Sequence, residues 1–418
     1  IAFRSSRNKM SNLCFLALLS FICCSYGDDF YHNYQVWKVD VKTKQDSNLL
    51  QDLQAGGLID VWSHGMPTGE SVMLSISPQD VTNVSKQLFR HNLAYKVHSY
   101  NLQSMVDLSY PPESKTSKQN TSFDLFTYHR FDKIVEYLNS VVQRHNDIAT
   151  LKEIGKGYEG TNPMLVIEIK KNSPNTKRTV VIDCGIHSRE WVAVSFCLYF
   201  IHQLTNNQTD PRIQEILLKY NVMVLPVYNP DGYVYTWTKS RLWRKNRRPN
   251  KGTSCVGVDL NRNFVIGHRK SYPCQEDYSG LEPESELETH NFVKYVGTLA
   301  NLHGYFTVHS YAQLWLYPYA YKSATAPNDA LLNNVAKVAT EAIKQVHGQK
   351  YRFGNLYRTL YAARGTSMDF MFEKLNTSFS YTIELRDRGN YGFLLPTSLI
   401  KPTVEEAFVG MTTALLNI

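Results

Sequence analysis

The chain has 418 residues, of which 43% are hydrophobic and 20% charged, with a net charge of +8. These are the proportions of an ordinary globular protein long enough for more than one domain, and they exclude a low-complexity chain. The positive charge forms no long basic run; its one dense cluster is Ser240-Arg241-Leu242-Trp243-Arg244-Lys245-Asn246-Arg247-Arg248.

In chain order, residues 1–9 precede the first methionine, Met10, and read as a leader or non-native extension. Residues 10–27 read as a signal peptide: an apolar run from Leu13 to Cys24, then small residues at Ser25-Tyr26-Gly27, too short to span a bilayer. The expected protein is therefore secreted and extracellular, with no membrane span. An export signal also argues against nucleic acid as the partner of the basic cluster. Beyond the signal four cysteines remain, Cys184, Cys197, Cys255 and Cys274, and an even number in a secreted chain implies disulfides. Sequence allows three pairings; the local one, Cys184–Cys197 with Cys255–Cys274, is the simplest, each bridge contributing roughly 3 kcal/mol. No C-x-x-C spacing favours a thiolate metal site.

Residues 28–110 read as a small domain. Tyr34–Val41 alternates as a half-buried strand, and 46–53 is helical in pattern. Leu58–Trp62 and Ser71–Ile76 follow as strands. A helix from Ser77-Pro78 to Arg90 and a strand at Tyr95–Ser99 complete a β-α-β-β-α-β order, that of an α+β ferredoxin-like open sandwich. Residues 111–122 are polar and Pro-bearing, an exposed linker in which Lys115 and Lys118 offer cleavage sites to a trypsin-like protease. A small domain before a cleavable linker suggests a propeptide.

Residues 123–418 alternate helices and apolar strands. Strands are expected at 164–169, 180–182, 222–227, 304–308 and 378–385, and helices at 131–143, 191–204 and 329–348. The pattern is α/β: a mixed, mostly parallel sheet flanked by helices. Asn83, Asn120, Asn207 and Asn376 each open an N-x-S/T sequon.

His187-Ser188-Arg189-Glu190 directly follows the strand ending at Cys184-Gly185-Ile186. An imidazole and a carboxylate three residues apart at a strand end can reach one cation, and a distant third ligand would complete a catalytic zinc site with one open position. His309, at the end of Phe306-Thr307-Val308, stands where loops meet at the edge of an α/β sheet.

His187-x-x-Glu190, then His309-Ser310-Tyr311, then Phe379-Ser380-Tyr381-Thr382-Ile383-Glu384-Leu385-Arg386-Asp387 resembles the zinc metallocarboxypeptidases of the pancreatic A/B type. Further matching blocks are Arg241-Leu242-Trp243-Arg244-Lys245, Val258-Asp259-Leu260-Asn261-Arg262-Asn263-Phe264, Leu316-Tyr317-Pro318-Tyr319 and Tyr391-Gly392-Phe393-Leu394-Leu395-Pro396. The resemblance implies a secreted zymogen, inhibited by its own propeptide, activated by proteolysis and acting as a monomer on peptide or protein C-termini, with the digestive lumen one setting. It implies one zinc ion on His187, Glu190 and His309. It makes Glu384 the general base and Arg244 the group that polarises the scissile carbonyl. Asn261, Arg262 and Tyr361 would hold the terminal carboxylate, for which arginine offers a bidentate fork; Tyr361 sits in a Gly-bearing loop able to move on binding. Arg189, Ser310, Tyr311 and Phe393 would line subsites further along the peptide.

The chain also departs from parts of the family. Members that remove Lys or Arg carry Asp where this chain has the neutral Met368; Leu316, Ala320, Leu356, Ala363 and Thr382 match other pocket positions and add no charge. A cation would enter unpaired, so aliphatic or aromatic C-terminal residues are expected. Cys184 and Cys197 sit where B-type members carry a disulfide. Arg364 replaces a small residue and Thr366 a glycine; turned inward, Arg364 would favour C-terminal Glu or Asp. Two other classes weighed against this reading are an inactive peptide-binding homologue, which would lack a ligand or the base, and a serine hydrolase, for which no G-x-S-x-G elbow is present.

Overall fold

A computed structural model describes residues 30–63, 68–111, 123–172 and 177–418. The expected leader and signal, Lys115, Lys118 and the sequon at Asn120 lie outside the described residues. Asn83, Asn207 and Asn376 are exposed.

The first domain is a four-stranded antiparallel sheet of β1 (Gln35–Val41), β2 (Asp60–Val61), β3 (Glu70–Ile76) and β4 (Tyr95–Ser99), in the order β2-β3-β1-β4. Helices Lys44–Ala55 and Val81–Arg90 supply the expected β-α-β-β-α-β order. The first helix starts two residues before the expected boundary because Thr43 and Asp46 form a capping box. The second starts at Val81, not Pro78, because Ser77–Asp80 closes a turn first. A third helix, Leu102–Ser109, was not anticipated; Asn101 caps it by accepting from the Gln103 amide at 3.1 Å.

Strand periodicity gives this sheet two apolar faces. Trp37, Val39 and Val41 with Val72, Leu74 and Ile76 pack on Leu50, Leu53, Val84 and Leu88. Val36 and Met73 point the other way, into a cluster shared with Trp62, Tyr311 and Phe393. The small domain therefore docks through the back of its sheet.

The second domain is built on eight strands: β5 (Ala149–Lys156), β6 (Pro163–Ile169), β7 (Arg178–Cys184), β8 (Tyr220–Leu225), β9 (Leu302–Ser310), β10 (Leu314–Tyr317), β11 (Arg352–Asn355) and β12 (Phe379–Leu385). Their order is β11-β10-β12-β9-β7-β8-β6-β5. The central β8, β7, β9 and β12 run parallel, while β6 on β8, β5 on β6 and β10 on β12 are antiparallel. One face carries helices Phe131–Arg144, Trp191–Asn206, Asp329–His347 and Ile400–Leu416, packed on Val180, Ile182, Phe306, Val308 and Ile383. Val181, Met223, Leu225 and Tyr305 point to the opposite face, against Phe292 of helix Leu287–Val296. This is the expected mixed sheet flanked by helices. The parallel strands β7, β9 and β12 deliver His187, His309 and Glu384 to one edge of the sheet, by the crevice that α/β sheets offer ligands. Among the described residues no helix is long and apolar enough to cross a membrane.

Candidate functional site

His187, Glu190 and His309 converge. Each offers a ligand atom, these atoms lie within 4.8 Å of one another, and all three residues are buried. Glu190 stands at the N-cap of helix Trp191–Asn206 but makes no capping bond with its side chain. Its carboxylate is committed elsewhere: Oε1 is 2.9 Å from His187 Nδ1 and Oε2 is 3.0 Å from His309 Nδ1. Burial alone would raise the Glu190 carboxyl; the two facing imidazoles outweigh it and hold the group well below the usual range. The set is two nitrogens and one carboxylate, with the two Nδ1 atoms turned inward and 3.2 Å apart. Those donors fit zinc with one position left open.

The outer nitrogens are also occupied. His187 Nε2 lies 3.0 Å from Asp259 Oδ1, the carboxylate–imidazole pairing that orients a metal-binding histidine. His309 Nε2 lies 3.1 Å from Thr307 Oγ1 and 3.3 Å from Asn261 Nδ2. Burial lowers the His187 ring, with the Arg244 cation adding to it. Glu384 is directly registered with His309 across the parallel pair β12 and β9 and is 4% exposed.

Arg244 donates to Asp259 Oδ2 through Nη2 at 2.8 Å and Nε at 3.2 Å. One carboxylate thus fixes both an imidazole and a guanidinium. Burial by itself would raise Asp259; Arg244 and then His187 outweigh it and keep it well below its usual value. The rest of the basic cluster is equally committed. Arg241 is 2% exposed and stacks on Trp191 at 3.6 Å, donating to the carbonyls of Arg189 and Phe393 at 2.9 and 2.8 Å and to Ser109 Oγ at 3.3 Å. Lys245 reaches the carbonyls of Pro273 and Gln275, Arg247 stacks on Tyr235 and Trp243, and Arg248 meets Glu286. These cations have partners within the fold.

Arg262 Nη2 donates to the Tyr361 hydroxyl at 3.0 Å, and Asn261 Oδ1 accepts from Ser367 N at 2.9 Å. The loop after Tyr361 is tied to this group at Gly365, whose φ of +67° and 2.2 Å clearance from a would-be Cβ to the Arg262 carbonyl admit only glycine. Met368 is fully buried in an apolar cluster with Leu314, Leu316, Ala320, Leu356 and Ala363, and Thr382 Oγ1 donates to its sulfur at 3.5 Å. Asp369 beside it accepts from the Ala320 and Tyr321 amides, and burial pushes its carboxyl up to about 7. Arg364 is exposed and lines a cavity of about 680 Å³ with Arg244, Arg262 and Tyr361; it stands outside the apolar cluster around Met368.

The first domain roofs this cavity. Asp60 lies 3.4 Å from Arg189 Nη1, and Trp62 sits 6.2 Å from Phe393, itself under the Arg189 guanidinium at 4.1 Å. Tyr311 packs edge-on to Phe393 at 5.1 Å, and the Ser310 amide donates to Glu190 Oε2 at 3.3 Å. At the start of the domain, the Tyr31 hydroxyl accepts from the Leu242 amide at 3.2 Å and pairs with Ser240 Oγ at 3.0 Å.

Both local disulfides are present, Cys184–Cys197 and Cys255–Cys274. Every residue singled out from sequence for the metal, the base or the carboxylate lies at this one edge. Sequence reasoning missed Asp259, although it stands two residues before Asn261 in a block already quoted. It also missed Asp60, which meets Arg189 only across the domain boundary, and Thr307 and Asp183, which meet only through strand register.

The chain matches a family model described as zinc carboxypeptidase over residues 134–410 and one described as carboxypeptidase activation peptide over residues 37–109. It is 35% identical to carboxypeptidase B of Rattus norvegicus over 411 residues, covering 96% of this chain and 97% of the relative. It is 33% identical to carboxypeptidase A1 of Bos taurus over 419 residues, covering 97% and 98%. Among solved structures it is similar to thrombin activatable fibrinolysis inhibitor, with a TM-score of 0.85 and 31% identity over 92% of this chain and 98% of that one.

Proposed function

Since the chain belongs to the zinc carboxypeptidase family and carries its activation domain, we propose that this metallocarboxypeptidase zymogen, once cleaved in the 111–122 linker, removes aliphatic or aromatic residues from peptide C-termini. The observation that carries the preference is the neutral, fully buried Met368 among Leu314, Leu316, Ala320 and Leu356, with Asp369 turned to backbone amides. A C-terminal Lys or Arg side chain would find no counter-charge there, a costly burial. Arg364 is exposed outside that cluster, so a preference for acidic C-termini is not favoured.

Zinc held by His187, Glu190 and His309 would supply Lewis acidity and make a water acidic enough to attack near neutral pH. The chain's own groups do the rest. Arg262, with Asn261 and Tyr361, receives the terminal carboxylate and so fixes which peptide bond reaches the site. Arg244, held rigid by Asp259, faces the oxygen on which negative charge develops. Glu384 takes a proton from the attacking water and returns it to the leaving amine. Water adds across the C–N bond, giving a new carboxylate and a free amino acid. Arg189, Ser310, Tyr311 and Phe393 receive the residues upstream. In the uncut chain Asp60 and Trp62 occupy that approach.

The test is limited trypsin treatment followed by hydrolysis of blocked dipeptides ending in Phe, Arg or Glu, with and without a chelator. The expected result is a gain in activity on cleavage, fastest turnover on Phe and loss of all activity with the chelator. Fastest turnover on Arg would overturn the preference, and on Glu would restore the role of Arg364.

A further inference from the structure

We propose that Asp183, acting through Thr307, sets the tautomer of His309 and thereby makes its Nδ1 the metal-binding nitrogen; the inference rests on the zinc reading of His187, Glu190 and His309.

The two imidazoles are anchored differently. His187 meets the Asp259 carboxylate directly at 3.0 Å. For His309 the carboxylate stands one hydroxyl further away. On β9 the residues Tyr305, Thr307 and His309 share one face by strand periodicity, and on the adjacent β7 Asp183 is registered directly with Thr307. Thr307 Oγ1 donates to Asp183 Oδ1 at 2.9 Å and lies 3.1 Å from His309 Nε2. Asp183 and Thr307 show no exposed surface and His309 only 1%, so bulk water does not compete for these bonds.

Hydrogen counting then decides the direction. A threonine hydroxyl carries one hydrogen, and an ionised carboxylate can only accept. The Thr307 hydrogen therefore goes to Asp183, and its oxygen is left to accept from Nε2–H. An imidazole protonated at Nε2 has its lone pair at Nδ1, the atom facing Glu190 Oε2 at 3.0 Å.

A second contact pulls the other way. Asn261 Oδ1 accepts from Ser367 N and Oγ at 2.9 and 3.2 Å, which fixes the amide with Nδ2 towards His309 Nε2 at 3.3 Å. A donor there favours a bare Nε2 and a protonated Nδ1, which cannot bind metal. The Thr307–Asp183 chain is shorter and ends on a charge, so it prevails, leaving the Asn261 hydrogens for the substrate carboxylate. Thr307 and Asp183 are positioning residues.

The experiment uses the full chain, with zinc as the probe. Zinc affinity is measured by competition with a chromophoric chelator, and the His309 ring nitrogens are read by ¹⁵N NMR in the zinc-free protein. Thr307→Val, which keeps the shape and removes the acceptor, should weaken zinc binding about 10–100-fold and move the proton of His309 towards Nδ1. Thr307→Ser should bind like the parent. Asp183→Leu removes the acceptor of the Thr307 hydrogen, frees that hydrogen to turn on His309 Nε2 and should weaken zinc comparably; it carries the test should the valine variant not fold. Parental affinity and unchanged ring shifts in either Thr307→Val or Asp183→Leu overturn the inference. A parent chain that takes up no stoichiometric zinc overturns the zinc reading instead.

Discussion

Asp60 of the small domain reaches across the domain boundary to Arg189, its carboxylate 3.4 Å from Nη1, while the Arg189 guanidinium lies flat on Phe393. The pair is asymmetric: the Arg189 side chain is 3% exposed and that of Asp60 33%. Burial pushes the Asp60 carboxyl up to about 6 despite the Arg189 cation, so the attraction does not offset the desolvation and the ion pair is a minor part of docking. Asp60→Asn should weaken the roof by about 1 kcal/mol at most. Hydrolysis of a small blocked dipeptide by the uncut chain should rise no more than about fivefold, with the trypsin-treated enzyme unchanged. A rise approaching full activity would show the ion pair, and not the apolar contact of Val36, Met73 and Trp62, to be the lock.

Glu384 is registered beside His309 on the neighbouring strand and is not one of the three residues that offer a ligand atom. Glu384→Gln should lower kcat about 10²–10⁴-fold while zinc content stays at that of the parent. Loss of zinc in this variant would make Glu384 a ligand-orienting residue instead of a base.

Met368→Asp places a carboxylate in the apolar cluster opposite any incoming side chain. The ratio of kcat/KM for Arg over Phe substrates should rise about a hundredfold or more, because a charge unpaired in the parent gains its partner. An unchanged ratio would mean that the C-terminal side chain is received elsewhere.

Asp369 gives a pH signature in stability. Burial raises its carboxyl from 3.8 to about 7 in the folded chain. Between those values the folded state holds a proton that the unfolded chain has lost, so this group's contribution is full below about 4 and is lost as pH rises through about 7. Glu288, raised to about 7 by the same cause, acts in the same sense. Asp369→Asn should flatten the fall of the melting temperature between pH 4 and 7; a steeper fall would show the carboxylate to be favoured in the fold.

The parts of this site that were legible in the sequence are those with local signatures. His187 and Glu190 sit three apart after an apolar strand, and the Asn261-Arg262 block is contiguous. Asp183 and Thr307 carry no such mark, because a buried Asp in a strand becomes meaningful only once its register with the neighbouring strand is known. The short strands Leu314–Tyr317 and Arg352–Asn355 were missed because four residues hold too little periodicity to read. The helix Ile400–Leu416 was missed for another reason: Ile400, Thr403, Val404, Ala407, Met411, Ala414 and Leu415 are buried almost all round, which erases the polar stripe that marks a surface helix. What the run Arg241–Arg248 does could not be read from composition, since each cation there meets a ring, a carbonyl or a carboxylate only in the fold.

Tyr31 and Ser109 stand at opposite ends of the small domain, yet both touch the segment Ser240–Leu242. Neither contact involves the 111–122 linker. Cutting that linker leaves both fastenings intact and changes only the order of the binding reaction, from intramolecular to bimolecular. The severed domain then departs by dissociation and returns at a rate set by concentration. A concentrated solution and a dilute one would treat the same cut molecule differently, the first holding it shut and the second letting it open.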